Sequence, residues 1–131
     1  LGWVPEAELP GLYREALAFV LASRYEGFWI TCIEAMASGI PVVAADRAAL
    51  PEACAGAALL VDPDDPRALA EAVLAAATDE PTRGRLREAG LRRAAQLPWS
   101  ATAAATHQLL SELSGLSRGS GPRPGTPPAP P

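Results

Sequence analysis

Apolar residues fall into short unbroken runs and longer periodic stretches that alternate along the chain. Ala18-Phe19-Val20-Leu21, Pro41-Val42-Val43-Ala44 and Ala58-Leu59-Leu60-Val61 are strand-length and apolar throughout. Such runs predict strands buried on both faces of a parallel sheet. Helical periodicity lies between and after them. Residues 4–15 lead to Leu9, Leu12 and Ala16 at spacings of three and four. Residues 29–38 place Ile30, Ile33 and Ala37 on one face, and Gly39 stops that helix. Asp65 is placed to cap a helix with Pro66 at its first position, running through Leu69, Val73 and Ala77. Two more helices are predicted over residues 81–96 and 100–113, the second with Ser100 as its cap.

The strand–helix alternation predicts an α/β fold with a parallel sheet and right-handed crossovers. Three strands followed by three helices make a partial Rossmann-like sheet, half of a doubly wound domain. The expectation is a structured unit over residues 1–115, with an upstream part missing and one sheet edge left without its neighbours. A start at Leu1 rather than Met fits that expectation. The last fifteen residues hold six of the fourteen prolines and no apolar anchor, so residues 116–131 read as a disordered Pro/Gly-rich tail.

Composition narrows the function. The 131 residues carry a net charge of -4, and all 11 basic residues are Arg. That balance offers no footprint for nucleic acid and no polybasic membrane anchor. Cys32 and Cys54 lack metal-ligand spacing and read as a buried, reduced pair, in keeping with a cytoplasmic protein. No run is long enough to span a bilayer, and no signal peptide is visible.

The chemistry-bearing segment is Ser23-Arg24-Tyr25-Glu26-Gly27-Phe28-Trp29-Ile30, continuing through Glu34 to Gly39. It follows the first strand, so its loop lies beyond the carboxyl end of the sheet, where open α/β folds bind ligands. The loop ends on a helix start, whose free amides and dipole favour an anion such as a diphosphate. Glu26 sits in the loop and Glu34 about one turn into the helix. A carboxylate there can accept two hydrogen bonds from a ribose diol. The residues alone define a candidate anionic-ligand site of low specificity.

Glu26-Gly27-Phe28 followed by Glu34-Ala35-Met36-Ala37-Ser38-Gly39-Ile40-Pro41-Val42-Val43-Ala44 resembles the signature of family-four, glycogen-synthase-like retaining glycosyltransferases. The two glutamates stand in that family's Glu-x7-Glu spacing. Leu9-Pro10-Gly11-Leu12-Tyr13, Leu50-Pro51-Glu52, Gly90-Leu91 and Pro98-Trp99-Ser100 extend the likeness over about residues 2–113. The resemblance implies the C-terminal half of a GT-B fold that holds a UDP-, GDP- or ADP-sugar as substrate. Glu26, as the catalytic glutamate, with the amides of Gly27, Phe28 and Trp29, would hold the donor sugar. The amides near Trp29 and Ile30 would face the diphosphate, and Glu34 would grip the ribose. The implied transfer retains anomeric configuration and needs neither a metal nor a further cofactor. The acceptor domain, and the Arg and Lys that meet the diphosphate, would lie upstream of this chain. A parent enzyme of this kind is cytoplasmic, or peripheral to the inner face of the membrane.

Three features depart from that pattern. Trp29 stands where the family has a second glycine, Thr31 stands where proline is common, and the chain has no Lys. The isolated chain is therefore expected not to catalyse transfer. Two other readings remain: a sugar-nucleotide epimerase-like protein of the same fold, and a non-catalytic remnant. For several residues the structural role outweighs a functional one. Phe28 and Trp29 are expected to pack, Ser23 to cap or turn, and Cys32 and Cys54 to fill the core. His107 has no partner at informative spacing. The Arg-rich stretch over residues 83–93 reads as a solvated helix face, with Glu88 and Arg92 at a favourable spacing. Glu52 is placed in a loop near the strand ends.

Overall fold

The computed structural model describes residues 2–25, 27 and 29–118. A short 3-10 turn, Glu6–Glu8, leads into α1, Leu9–Glu15. Then follow β1 (Phe19–Leu21), α2 (Ile30–Ala37), β2 (Val42–Ala45), α3 (Leu50–Cys54) and β3 (Leu59–Val61). Helices α4 (Pro66–Thr78), α5 (Glu80–Ala95) and α6 (Trp99–Arg118) complete the order.

The sheet order is β1-β2-β3, parallel throughout, with Phe19 opposite Val42 and Val43 opposite Leu59. All four residues of β2 are buried. Val42 and Ala44 join the larger core cluster with Trp29, Cys32, Met36, Leu50 and Cys54. Val43 points to the other face, where Ala76 of α4 and Leu86 of α5 meet it. This two-sided burial is what an unbroken apolar run encodes in a central parallel strand. The expectation that all three strands are buried in this way holds for β2 alone. In a three-stranded sheet β1 and β3 are the edges, and their residues are only partly buried, with Val20 exposed.

Caps set the helix boundaries. The Asp65 carboxylate accepts the amides of Arg67 and Ala68 at 3.0 Å, with Pro66 at the first helical position. Asp79 ends α4 and starts α5, accepting the Thr82 amide at 3.0 Å. Its carboxyl is held below the usual range by the Thr82 hydroxyl and amide. Gly39 takes a φ of +75° to turn the chain from α2 towards β2.

Helix α5 anchors α2 from outside. Gly90 lies against Met36: a methyl group added there would sit 3.2 Å from Met36 Cγ and 3.5 Å from its Cα. Arg93 reaches back to α3, donating to the carbonyls of Ala53 at 2.8 Å and Glu52 at 3.2 Å. These bonds satisfy acceptors that a short helix would otherwise leave to water.

Residues 2–97 form one compact unit and α6 belongs to a second. Within α6, Ser100 lies inside the helix rather than capping it, because the helix begins one residue earlier at Trp99. The helix runs on through Ser117 to Arg118, beyond the boundary at 115/116 expected from the tail's composition. Residues 119–131, the rest of the expected tail, lie outside the described residues. No helix among the described residues is long and apolar enough to cross a membrane.

Candidate functional site

The loop after β1 and the start of α2 occupy the rim formed by the carboxyl ends of the strands. Trp29 is the residue before α2, and no side chain among the described residues caps the helix. The first intrahelical bond runs from the Ile33 amide to the Trp29 carbonyl at 3.4 Å, so the amides of Ile30 and Thr31 precede it. An uncapped helix start leaves such donors for a ligand or water.

The Trp29 side chain is turned inward and only 2% exposed, packed with Cys32, Ala35 and Met36. Bulk at this position therefore enters the core instead of the space beyond the rim. Its indole Nε1 is buried and has no hydrogen-bond partner among the described residues. Trp29, Cys32 and Met36 recur at three and four, the spacing of one helix face. The buried stripe of α2 is this one, with Ala35, whereas Ile30 and Ala37 of the expected face are exposed.

Glu34 is exposed, and its Oε2 accepts a hydrogen bond from the Tyr13 hydroxyl at 3.1 Å. Tyr13 sits on α1 with its ring 5.9 Å from that of Phe19 in β1. Burial, then the hydrogen bond and negative charge of Glu34, push the Tyr13 hydroxyl up to about 12. The contact joins residues 21 apart in sequence, so no local pattern announces it. A carboxylate has room for about four hydrogen bonds. Tyr13 takes one position, and Oε1 accepts no hydrogen bond among the described residues.

The same rim carries an ion-pair chain across the loops that follow the three strands. Arg24, after β1, meets Asp64, after β3, through Nη2 at 2.6 Å and Nε at 2.8 Å. Arg47, after β2, holds both oxygens of Asp62 at 3.1 and 3.2 Å. The Asp64 amide, and then Arg47, hold the Asp62 carboxyl below the usual range. These are basic groups at the sheet's carboxyl end that the sequence reading passed over. Arg24 lies within the loop it singled out.

Glu26 and Phe28 lie outside the described residues, so the expected sugar contact and its neighbour have no geometry here. Gly27 is exposed, with nothing within 4 Å of where a side chain would begin. Glu52 is on α3, not in a loop, and is exposed. Cys32 and Cys54 are both buried and form no disulfide, as expected for core fillers. A hydrogen bond from Cys32, and then the charge of Arg93, lower the Cys54 thiol. His107 stands on α6, where its carbonyl accepts the Ser111 hydroxyl. Among the described residues no group of three His, Cys, Asp or Glu side chains is placed to hold a metal.

A parallel α/β unit, with a helix start at the carboxyl rim and a carboxylate one turn on that accepts one hydrogen bond, defines a Rossmann-like module. Comparison with known proteins gives the family. The model of "Glycosyl transferases group 1" matches residues 1–93, and the chain belongs to that family. It is 40% identical over 99 residues to "O-antigen chain mannosyltransferase B" of Escherichia coli, covering 76% of this chain and 26% of that protein. It is 39% identical over 111 residues to "D-inositol 3-phosphate glycosyltransferase" of Corynebacterium jeikeium, covering 83% of this chain and 26% of that protein. Among solved structures, the sucrose-phosphate synthase of Thermosynechococcus elongatus superposes with a TM-score of 0.81 at 33% identity, over 88% of this chain and 30% of that one. The chain spans about a quarter of the length of the curated relatives it matches. The expected fold class, a partial Rossmann-like sheet with flanking helices from the C-terminal half of a GT-B fold, stands.

Proposed function

We propose that this chain is the donor-binding part of a retaining glycosyltransferase and binds a nucleotide sugar at the start of α2. The observation that carries this reading is the uncapped Ile30–Thr31 start of a short helix at the carboxyl rim. The amides of Trp29 and Ile30 meet the diphosphate, where the helix dipole adds to their hydrogen bonds. The Glu34 carboxylate accepts the ribose hydroxyls, oriented by Tyr13. Gly27 and Phe28 amides and the Glu26 carboxylate hold the donor sugar, with Glu26 as the catalytic glutamate. Amides at this point stabilise the negative charge that builds on the departing diphosphate. The chain matches about a quarter of the length of its relatives, and in this reading it binds the donor without transferring the sugar.

The reading is supported by the family match and by relatives whose names are those of glycosyltransferases. The alternative of a non-catalytic remnant draws on one observation, the Tyr13 hydroxyl that already occupies part of Glu34. Calorimetric titration of the chain with UDP, GDP and ADP separates the two. Saturable binding of one of them, lost in Glu34→Ala, is the expected result. No binding at millimolar nucleotide would overturn the donor-site reading. Sugar transfer by the 131-residue chain alone would overturn its inactivity.

A further inference from the structure

A second site lies at the opposite rim of the sheet. Ala16 precedes β1, and Ile40 and Pro41 precede β2; together with α5 they border an open pocket of about 370 Å³. That volume is in the range of small-molecule sites. Arg14 from α1, and Arg83 and Arg87 from α5, line it, against a single carboxylate, Glu80. Three guanidinium groups and one carboxylate leave a local charge of about +2 in a chain whose net charge is -4.

The other arginines of residues 2–97 are mostly spoken for. Arg24, Arg47, Arg67 and Arg92 pair with Asp64, Asp62, Glu71 and Glu88, and Arg93 holds backbone carbonyls. Arg14, Arg85 and Arg87 have no ion pair or hydrogen bond among the described residues. Two of these three meet at one pocket. Arg83 is fixed there by the Ala77 carbonyl at 2.6 Å and by Glu80 at 3.4 Å. The Glu80 contact is made by the buried Nε, which forms no hydrogen bond among the described residues. Arg87 lies over Gly39, its Nε 3.5 Å from where a side chain would begin, an ordinary packing contact.

We propose that this pocket binds a small phosphate monoester. Arg14 and Arg87, presented by different helices, close on the dianionic phosphate as two planar forks, beside the anchored Arg83. Glu80 and Ser38 face the hydroxyl groups of the ester's organic part. The site stands apart from the donor site, at the other end of the strands, and does not depend on the donor reading.

Titration of the ¹⁵N-labelled 131-residue chain with glycerol phosphate, at constant ionic strength, tests it. Saturable amide shifts at Gly39 and Gly84 are expected, with none from glycerol alone. Arg14→Gln and Arg87→Gln should each weaken binding about threefold or more, the scale of a lost partly exposed charge contact. Glu80→Gln should tighten it about twofold. The spectrum away from the pocket reports that each variant is folded. Shifts confined to the start of α2, or affinity unchanged by Arg87→Gln, would overturn the pocket. Inorganic phosphate binding as tightly as glycerol phosphate would overturn its assignment to an ester.

Discussion

Two glycines of α5 make a matched experiment on how the site is held. Gly84 and Gly90 both lie inside the helix. Replacement by alanine should stabilise the helix by about 0.5–1 kcal/mol at either position, from backbone entropy alone. At Gly84 nothing lies within 4 Å of the new methyl group, so that gain is realised. At Gly90 the methyl would stand 3.2 Å from Met36 Cγ, 3.3 Å from Cβ and 3.5 Å from Cα. Methionine tips are adaptable, but Cβ and Cα move only with the backbone of α2. Met36 is itself fully buried, so α2 and α5 must part slightly. Overpacking of this kind costs about 1–3 kcal/mol. The propensity gain is common to both variants, so the difference between them isolates the steric cost. With a urea dependence of about 2 kcal/mol/M, Gly84→Ala should unfold at a midpoint about 0.5–1.5 M above that of Gly90→Ala. Because α2 carries the proposed donor contacts, Gly90→Ala should also weaken nucleotide binding, and Gly84→Ala should not. Equal urea midpoints would refute the close packing of α2 on α5.

Other consequences can be measured on the same chain. The raised Tyr13 hydroxyl means the folded state keeps its proton more tightly than the unfolded chain, whose tyrosine titrates near 10. That stability is fully present below pH 10 and is lost as pH rises towards about 12, so Tyr13→Phe should flatten the fall of the urea midpoint in that window. Asp65→Ala should cost about 1 kcal/mol by stripping the cap from α4, read as a lower melting temperature. The depressed Asp79 carboxyl contributes stability above its unfolded value near 3.9, lost as the pH falls through the lower folded value. Asp79→Asn should therefore reduce the acid sensitivity of unfolding. Cys32 and Cys54 should resist thiol reagents in the native protein and react only in denaturant; rapid native labelling would contradict their burial.

Local patterns announced most of the frame. The apolar runs locate the strands to within a residue, because a short unbroken apolar run between helical stretches leaves few alternatives. Asp65-Pro66 marks α4 because a capping carboxylate followed by proline suits little else. Helix α3 escaped because five residues beginning Leu50-Pro51 are too few to show a period. The core face of α2 was misplaced because Ile30, Ile33 and Ala37 also recur at helical spacing, beside the buried stripe of Trp29, Cys32 and Met36. At the site, Glu34 and the helix start follow from order along the chain. The Tyr13 contact, the Arg24–Asp64 and Arg47–Asp62 chain and the arginine pocket do not, since each joins segments that only the fold brings together.

The central claim is that a nucleoside diphosphate docks on the uncapped start of α2. Amide chemical shifts of the labelled chain, followed as UDP, GDP or ADP is added, test it most directly. The account predicts saturable shifts largest at Gly27, Trp29, Ile30 and Thr31, reduced in Glu34→Ala. Shifts absent there, or centred on Gly39 and Gly84 at the other rim, would contradict it.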